Sequence, residues 1–440
     1  MTPEFEARLQ KAMDDGVLPG AVLLARDKSG RINYTSSHGH LTLDPSLGSP
    51  PPPLEINSIF TLASMTKLLT SIAILQQVEL GLITLESDIS SHLPELARLP
   101  ILTGLDSSST PPTPILVPRR NPILLKHLLT HSSGACYTWA DPNLIPYFKA
   151  INQPAPVPLT PVGGSTVVER CAYPLSFEPG ESWQYGTGLD WTGLLVERLS
   201  GLGLEDYFTQ HILQPLNIPP GEITFYPGRD PQNSSRKAGM TTRPAAPPPF
   251  SEGTNGNGNG NGNGNGTNGG EKERIERVVH FPLDPPAESI APLGGEAAHG
   301  NLSAYLSILF SILLDDSKLL TPQTSALLFE GCLDPQAKKA LRKNLENPSW
   351  IVGWTPTDNR SPETKELEYD WAAGGLVTDG DSHKYRRRGF LQWGGAFNLS
   401  WFIDRTSGVC GIFGTQILQP ADPLVKPLMK EFEEIIYSKL

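Results

Sequence analysis

No stretch of this chain is apolar for long enough to cross a membrane as a helix. Charge is scarce, at 18% of residues, and its balance is acidic, a net −11 over 440 residues. That balance argues against a nucleic-acid surface. The one dense basic run, Arg386-Arg387-Arg388, reads as an exposed loop. Cysteine is limited to Cys136, Cys171, Cys332 and Cys410, without metal-type spacing, so reduced and mostly buried thiols are expected. No His-Glu-x-x-His pattern and no glycine-rich phosphate loop occurs, so neither metal nor cofactor is expected. The opening residues Met1-Thr2-Pro3-Glu4-Phe5-Glu6 are acidic and amphipathic and do not read as a secretory signal. The length suits one large domain or two closely joined ones.

What is present centres on Ser58-Ile59-Phe60-Thr61-Leu62-Ala63-Ser64-Met65-Thr66-Lys67-Leu68-Leu69. From Leu68 the apolar residues continue through Ile72, Ala73, Ile74, Leu75 and Val78, which predicts a mostly buried helix with Gly81 as a left-handed cap. Ser64 falls on its first turn and Lys67 three residues later, on the same side. A serine needs a neighbouring base to become a nucleophile, and a lysine amine kept neutral by desolvation can supply it. The helix N-terminus favours negative charge developing there. Lys67 is the only charge between Asn57 and Glu79, and a lone lysine in an apolar run is costly unless paired or functional. A second Ser-x-x-Lys, Ser234 to Lys237, lies in polar sequence with no apolar helix after it and reads as a solvated loop.

Along the chain, residues 4 to 15 predict a helix, and Gly20 to Arg26 with Arg31 to Tyr34 a β-hairpin. A Ser/Pro/Thr loop is expected at 107 to 114, and a short helix running into a turn from Ile123 to Gly134. Helices follow from Leu189 to Leu199, capped by Gly201, from Leu204 to Leu213, from Leu302 to Leu314 and from Thr321 to Leu328. Residues 254 to 270 are nearly pure Asn-Gly and predict a disordered insertion. Strands are expected at Trp350 to Trp354, Phe390 to Trp393, Leu399 to Asp404 and Val409 to Phe413, then a last amphipathic helix from Pro423 to Tyr437. Strands at both ends and helices between them predict an α/β (α+β) fold: one antiparallel sheet built from both termini, flanked by helices, with an inserted helical domain. The expected division is 1–60 with 290–440 as the sheet domain and 61–289 as the helical one.

Three further pieces accompany Ser64. The loop Glu178-Pro179-Gly180-Glu181-Ser182-Trp183-Gln184-Tyr185-Gly186-Thr187-Gly188 presents a phenol suited to acid–base work. Gln392-Trp393-Gly394-Gly395-Ala396 ends a strand, where paired glycines let a substrate approach the backbone. Leu293-Gly294-Gly295-Glu296 opens a glycine-rich turn before a helix. In this order around Ser-x-x-Lys, the set resembles the serine β-lactamase and penicillin-binding-protein superfamily. The likeness runs from Gly20 to about Gln416, and His127 to Gly134 is similar to a stretch of its class C and esterase branches. Two departures set the branch: Tyr185-Gly186-Thr187 lacks the usual asparagine, and Trp393-Gly394-Gly395 lacks the lactamase lysine. Tyr-Gly-x-Gly-x-Asp-Trp with Trp-Gly-Gly resembles instead the fungal lovastatin-type acyltransferases.

The resemblance implies Ser64 as nucleophile, Lys67 and Tyr185 as base and acid, and the N–H groups of Ser64 and Ala396 as the oxyanion hole. An acyl thioester such as acyl-CoA would acylate Ser64, and an alcohol of a secondary-metabolite type would receive the acyl group. Trp183, Trp393, Gly394 and Gly395 are the candidate substrate contacts, although Trp183, Trp191 and Trp393 suit core packing equally well. The rival within the fold is an esterase or D-aminopeptidase, with water as acceptor. A non-catalytic ligand-binding relative would be expected to lack Ser64, Lys67 or Tyr185, and all three are present. The last residues, Ser438-Lys439-Leu440, match the address read by the peroxisomal import receptor, so a peroxisomal location is expected.

Overall fold

The computed structural model describes residues 2–244, 277–282, 290–345, 368–381 and 383–440. The Asn-Gly tract and the strand expected at Trp350 to Trp354 lie outside the described residues. A seven-stranded antiparallel sheet is built in the order Tyr369–Ala372, Gly375–Thr378, Leu391–Gly395, Leu399–Asp404, Val409–Gly414, Gly20–Asp27, Asn33–Gly39. Both chain ends therefore meet within it, one strand in from the edge, where Leu24 pairs with Ile412 and Leu23 with Phe413.

The central strands are apolar almost throughout because both faces are covered. Val22 and Leu24 enter the large core around the serine helix, whereas Ala21, Leu23 and Ala25 enter a second core on the other face. The period of two does the sorting. That second core is closed by the first helix, Pro3–Asp14, and the last, Lys426–Ser438, which pack side by side. Thr2 caps the first helix by accepting the Phe5 N–H. On the opposite face Leu302–Leu314 lies against the central strands, its first turn capped by the Asn301 side chain.

The serine helix spans Thr66–Glu79 and is buried on nearly every side, packed chiefly on the helix Gly188–Ser200. Both helices run into a left-handed glycine as expected, Gly81 at φ +71° and Gly201 at φ +72°. A short sheet of Ile59–Thr61, His299–Asn301 and Ile223–Thr224 joins the chain before Ser64 to the chain after Gly295.

Several local expectations need correction. The loop at 107 to 114 is shorter, because Ile101–Asp106 and Thr113–Val117 pair as a hairpin whose second strand is largely exposed. The helix expected from Leu204 to Leu213 is regular only to Phe208 and widens into a π turn over Thr209–Leu213. The hairpin Tyr369–Ala372 with Gly375–Thr378 and the helix Pro335–Leu345 were not anticipated. Arg386 does not sit in an exposed loop: it is 1% exposed and makes a bidentate pair with Glu433 of the last helix, at 2.8 and 3.0 Å. All four cysteines are free thiols, three of them buried.

Candidate active site

Ser64 sits in a single 3-10 turn, Ala63–Met65, directly before the helix proper rather than within its first turn. Ala63 holds φ +47°, a left-handed conformation that costs a non-glycine residue about 1–2 kcal/mol. The turn is held by its neighbours: Leu62 N–H donates to Ala298 O at 3.0 Å, and Ala298 N–H to Thr66 Oγ1 at 3.1 Å. Thr66 Oγ1 donates in turn to Ala63 O at 2.7 Å.

Lys67, 5% exposed, reaches Ser64 as the three-residue spacing requires, with Nζ 3.3 Å from Oγ. The same Nζ donates to Gly295 O at 2.6 Å and to the Tyr137 hydroxyl at 3.1 Å. It also lies over two aromatic rings, 4.7 Å from the centroid of Tyr185 and 5.1 Å from that of Tyr137.

The two phenols are placed side by side by backbone pairing. Thr187 N–H donates to Ala135 O at 2.8 Å and Tyr137 N–H to Tyr185 O at 3.3 Å. Only glycine fits at 186, since a Cβ there would lie 1.9 Å from Ala135 O. Trp393 Nε1–H donates to the Tyr185 hydroxyl at 3.0 Å, and the two rings are 5.2 Å apart. Beneath them His131 accepts the Gly186 N–H at Nδ1, 3.3 Å. Burial, then the nearby Lys67, pushes this imidazole well below its ordinary range, so it stays neutral.

Tyr137 donates to Asp190 Oδ2 at 3.0 Å, and Asp190 Oδ1 accepts the Gly295 N–H at 2.9 Å. Asp190 is 1% exposed; burial raises its carboxyl, opposed chiefly by Lys67. Glu296 is pushed up to about 7, by burial first and then by Asp190. Arg170 stands 3.8 Å from Glu296 and donates to the carbonyls of Val157, Thr160, Val162 and Gly164. It thereby fixes the loop whose Pro158 and Leu159 wall a small cleft over Ser64. Ala396, Trp139, Tyr137 and Glu296 complete that wall.

The structure thus brings together Ser64, Lys67, Tyr185, Trp393 and Ala396. The remaining candidates do not line the cleft over Ser64. Trp183 is 3% exposed and packs on Trp371 at 5.3 Å, and Trp191 is fully buried in the main core. Gly394 and Gly395 face protein rather than open space: a Cβ would meet Leu399 O at 2.1 Å and Leu62 O at 2.4 Å. These glycines let the strand press against the serine turn. Tyr137 and Asp190 were missed as site residues; Asp190 stands in the quoted Tyr-Gly-x-Gly-x-Asp-Trp motif, whereas nothing local marks Tyr137. Among the described residues no cluster of His, Cys, Asp and Glu is placed to hold a metal ion, and no helix is long and apolar enough to cross a membrane.

Residues 5–431 match the Beta-lactamase family. The chain is 32% identical over 437 residues to monacolin J acid methylbutanoyltransferase of Aspergillus terreus, covering 99% of this chain and 95% of that one. It is 34% identical over 436 residues to lovastatin esterase of Penicillium rubens, covering 99% and 98%. Unliganded simvastatin synthase of Aspergillus terreus superposes with a TM-score of 0.79 at 30% identity, over 99% of this chain and 98% of that one. The chain belongs to the beta-lactamase family, among the serine acyltransferases and esterases of the lovastatin type.

Proposed function

We propose that this acyltransferase moves an acyl group from a thioester such as acyl-CoA to the hydroxyl of a polycyclic, polyketide-like alcohol through an acyl-Ser64 intermediate. The observation that carries the reading is the buried Lys67 amine 3.3 Å from Ser64 Oγ and above the Tyr185 ring. Lys67 takes the Ser64 proton as Oγ bonds to the carbonyl carbon, and the N–H groups of Ser64 and Ala396 receive the oxyanion. The C–S bond then breaks and the thiolate leaves with the proton from Lys67. In the second half the acceptor hydroxyl gives its proton to the Lys67/Tyr185 pair, its oxygen takes the acyl carbon, and Ser64 Oγ regains a proton.

Transfer prevails only if a bound alcohol intercepts the acyl-serine faster than water, which requires the alcohol to be held in attack geometry. Trp393, partly exposed beside Tyr185, offers an aromatic face for a large acceptor. The likeness to monacolin J acid methylbutanoyltransferase supports an acceptor of that secondary-metabolite kind, and the likeness to lovastatin esterase favours hydrolysis of such an ester as the second reading. Supplying an acyl thioester with polycyclic alcohols and quantifying ester against free acid separates the two. Ester is the expected main product; free acid with every acceptor would establish the hydrolase. The exposed tail Ser438-Lys439-Leu440 is further proposed to bind the peroxisomal import receptor, a role that fails if a fluorescent protein carrying the tail stays cytosolic.

A further inference from the structure

We propose that Asp190 is a positioning residue of the acyl-transfer site: by accepting the Tyr137 proton it sets the direction of a hydrogen-bond ring that leaves the Lys67 lone pair facing Ser64. This role presupposes Lys67 as the base for Ser64.

The ring has four members. Lys67 Nζ donates to Gly295 O at 2.6 Å and to the Tyr137 hydroxyl oxygen at 3.1 Å. Tyr137 donates to Asp190 Oδ2 at 3.0 Å, and Asp190 Oδ1 accepts the Gly295 N–H at 2.9 Å, which closes the ring. Each polarity is dictated by chemistry. The Gly295 carbonyl only accepts and its N–H only donates, while an ionised carboxylate only accepts. A phenol has one proton, and here it goes to Asp190, so Tyr137 turns a lone pair toward Lys67. In the state in which it acts as base, the Lys67 amine is neutral and has two N–H bonds and one lone pair; in its charged state a third N–H points at Ser64 instead. Both N–H bonds are occupied by Gly295 and Tyr137, and the remaining direction faces Ser64 Oγ at 3.3 Å.

That direction holds the lone pair before proton transfer and the third N–H after it. No other group has to reorient, which is the preorganisation that makes proton transfer cheap in a buried site. The Asp190 charge also lies one phenol away from the ammonium as it forms. It serves Lys67 as a buried carboxylate serves the histidine of a serine triad. The arrangement is sterically closed as well. A Cβ on Gly295 would stand 2.7 Å from Asp190 Oδ2 and 2.8 Å from the Tyr137 hydroxyl.

The test is the pair Asp190→Asn and Tyr137→Phe, alone and together, read by pre-steady-state acylation with an acyl thioester. In Asp190→Asn the amide oxygen must keep facing the Gly295 N–H, so the amide NH₂ faces Tyr137 and donates to it. The displaced phenol proton then turns to Lys67 and occupies the lone pair. Acylation is expected to slow by roughly 10²–10³-fold with the thioester KM within about threefold. Tyr137→Phe, which only removes one partner of Lys67, is expected to cost about tenfold. The double variant is expected to acylate about tenfold faster than Asp190→Asn, because no phenol remains to block the amine. A residue that served only packing would not give this reversal. Asp190→Asn at the wild-type rate, or a double variant no faster than Asp190→Asn, overturns the proposal. Should Asp190→Asn not fold, Asp190→Ala frees the same phenol proton and must show the same reversal with Tyr137→Phe. Lys67→Ala tests the underlying reading separately: if it still acylates, Lys67 is not the base. If it is inactive while the reversal is absent, the role of Asp190 alone is lost.

Discussion

The amine of Lys67 and the carbonyl oxygen of Gly295 stand 2.6 Å apart across 228 residues of sequence. The contact ties the serine helix to the glycine turn that precedes the strand His299–Asn301, so the position of the amine is set by two elements rather than by its own helix alone. Because Gly295 also donates to Asp190, a side chain at this position disturbs the amine and the carboxylate together.

Gly295→Ala is therefore expected to cut acylation by at least about 100-fold while the protein remains folded, since the clash is with two site side chains rather than with the core. Single-turnover rates beside a thermal melt check this. A rate within a few-fold of wild type would show that the amine is placed without Gly295.

Arg386→Ala is expected to destabilise the fold by about 3–5 kcal/mol, because it strands Glu433 as an unpaired buried charge beneath the last helix. Replacing both partners by apolar residues of similar size should restore much of the loss. Urea unfolding of the single and double variants reads both numbers. Equal destabilisation by the single and double changes would mean that packing, not charge, holds this contact.

Stability should also depend on pH through Glu296. Its carboxyl has an ordinary value of 4.5 and is pushed up to about 7 by burial and by Asp190. The folded protein therefore holds a proton that the unfolded chain has released. The associated stability is fully present below pH 4.5 and is lost as pH rises through about 7. Relative to Glu296→Gln, the wild type should lose on the order of 3 kcal/mol between pH 5 and pH 8. Unfolding curves at several pH values test it, and a pH-independent difference between the two proteins would contradict it.

The parts of the site that the sequence displays are those whose signal is local. Lys67 is a lone charge in an apolar run, three residues from Ser64, and that spacing alone implies their contact. Gly81 and Gly201 close helices because the left-handed conformation there favours glycine. The strand at Gly20 reads as apolar throughout because two separate cores need its alternate residues. Tyr137 and Asp190 carry no such local mark as partners. Their contacts span 70 and 53 residues, and their chemistry appears only once the helix Gly188–Ser200 packs on the serine helix. Arg386 misleads for the same reason, since its partner Glu433 lies on another element. Gly394 and Gly395 show that a close approach is needed there, but not that the approaching atoms belong to Leu62 and Leu399. The helix Pro335–Leu345 buries only Ala337, Leu341 and Leu345, too sparse a stripe to stand out from polar sequence.

Intact-mass analysis after brief exposure to an acyl thioester, followed by peptide mapping, tests the central claim most directly. The wild type should gain the mass of one acyl group, mapped to Ser64 and discharged by an added alcohol, while Ser64→Ala should keep its fold and gain none. An acyl group mapped to another residue, or undiminished turnover by Ser64→Ala without any adduct, would contradict the acyl-serine mechanism.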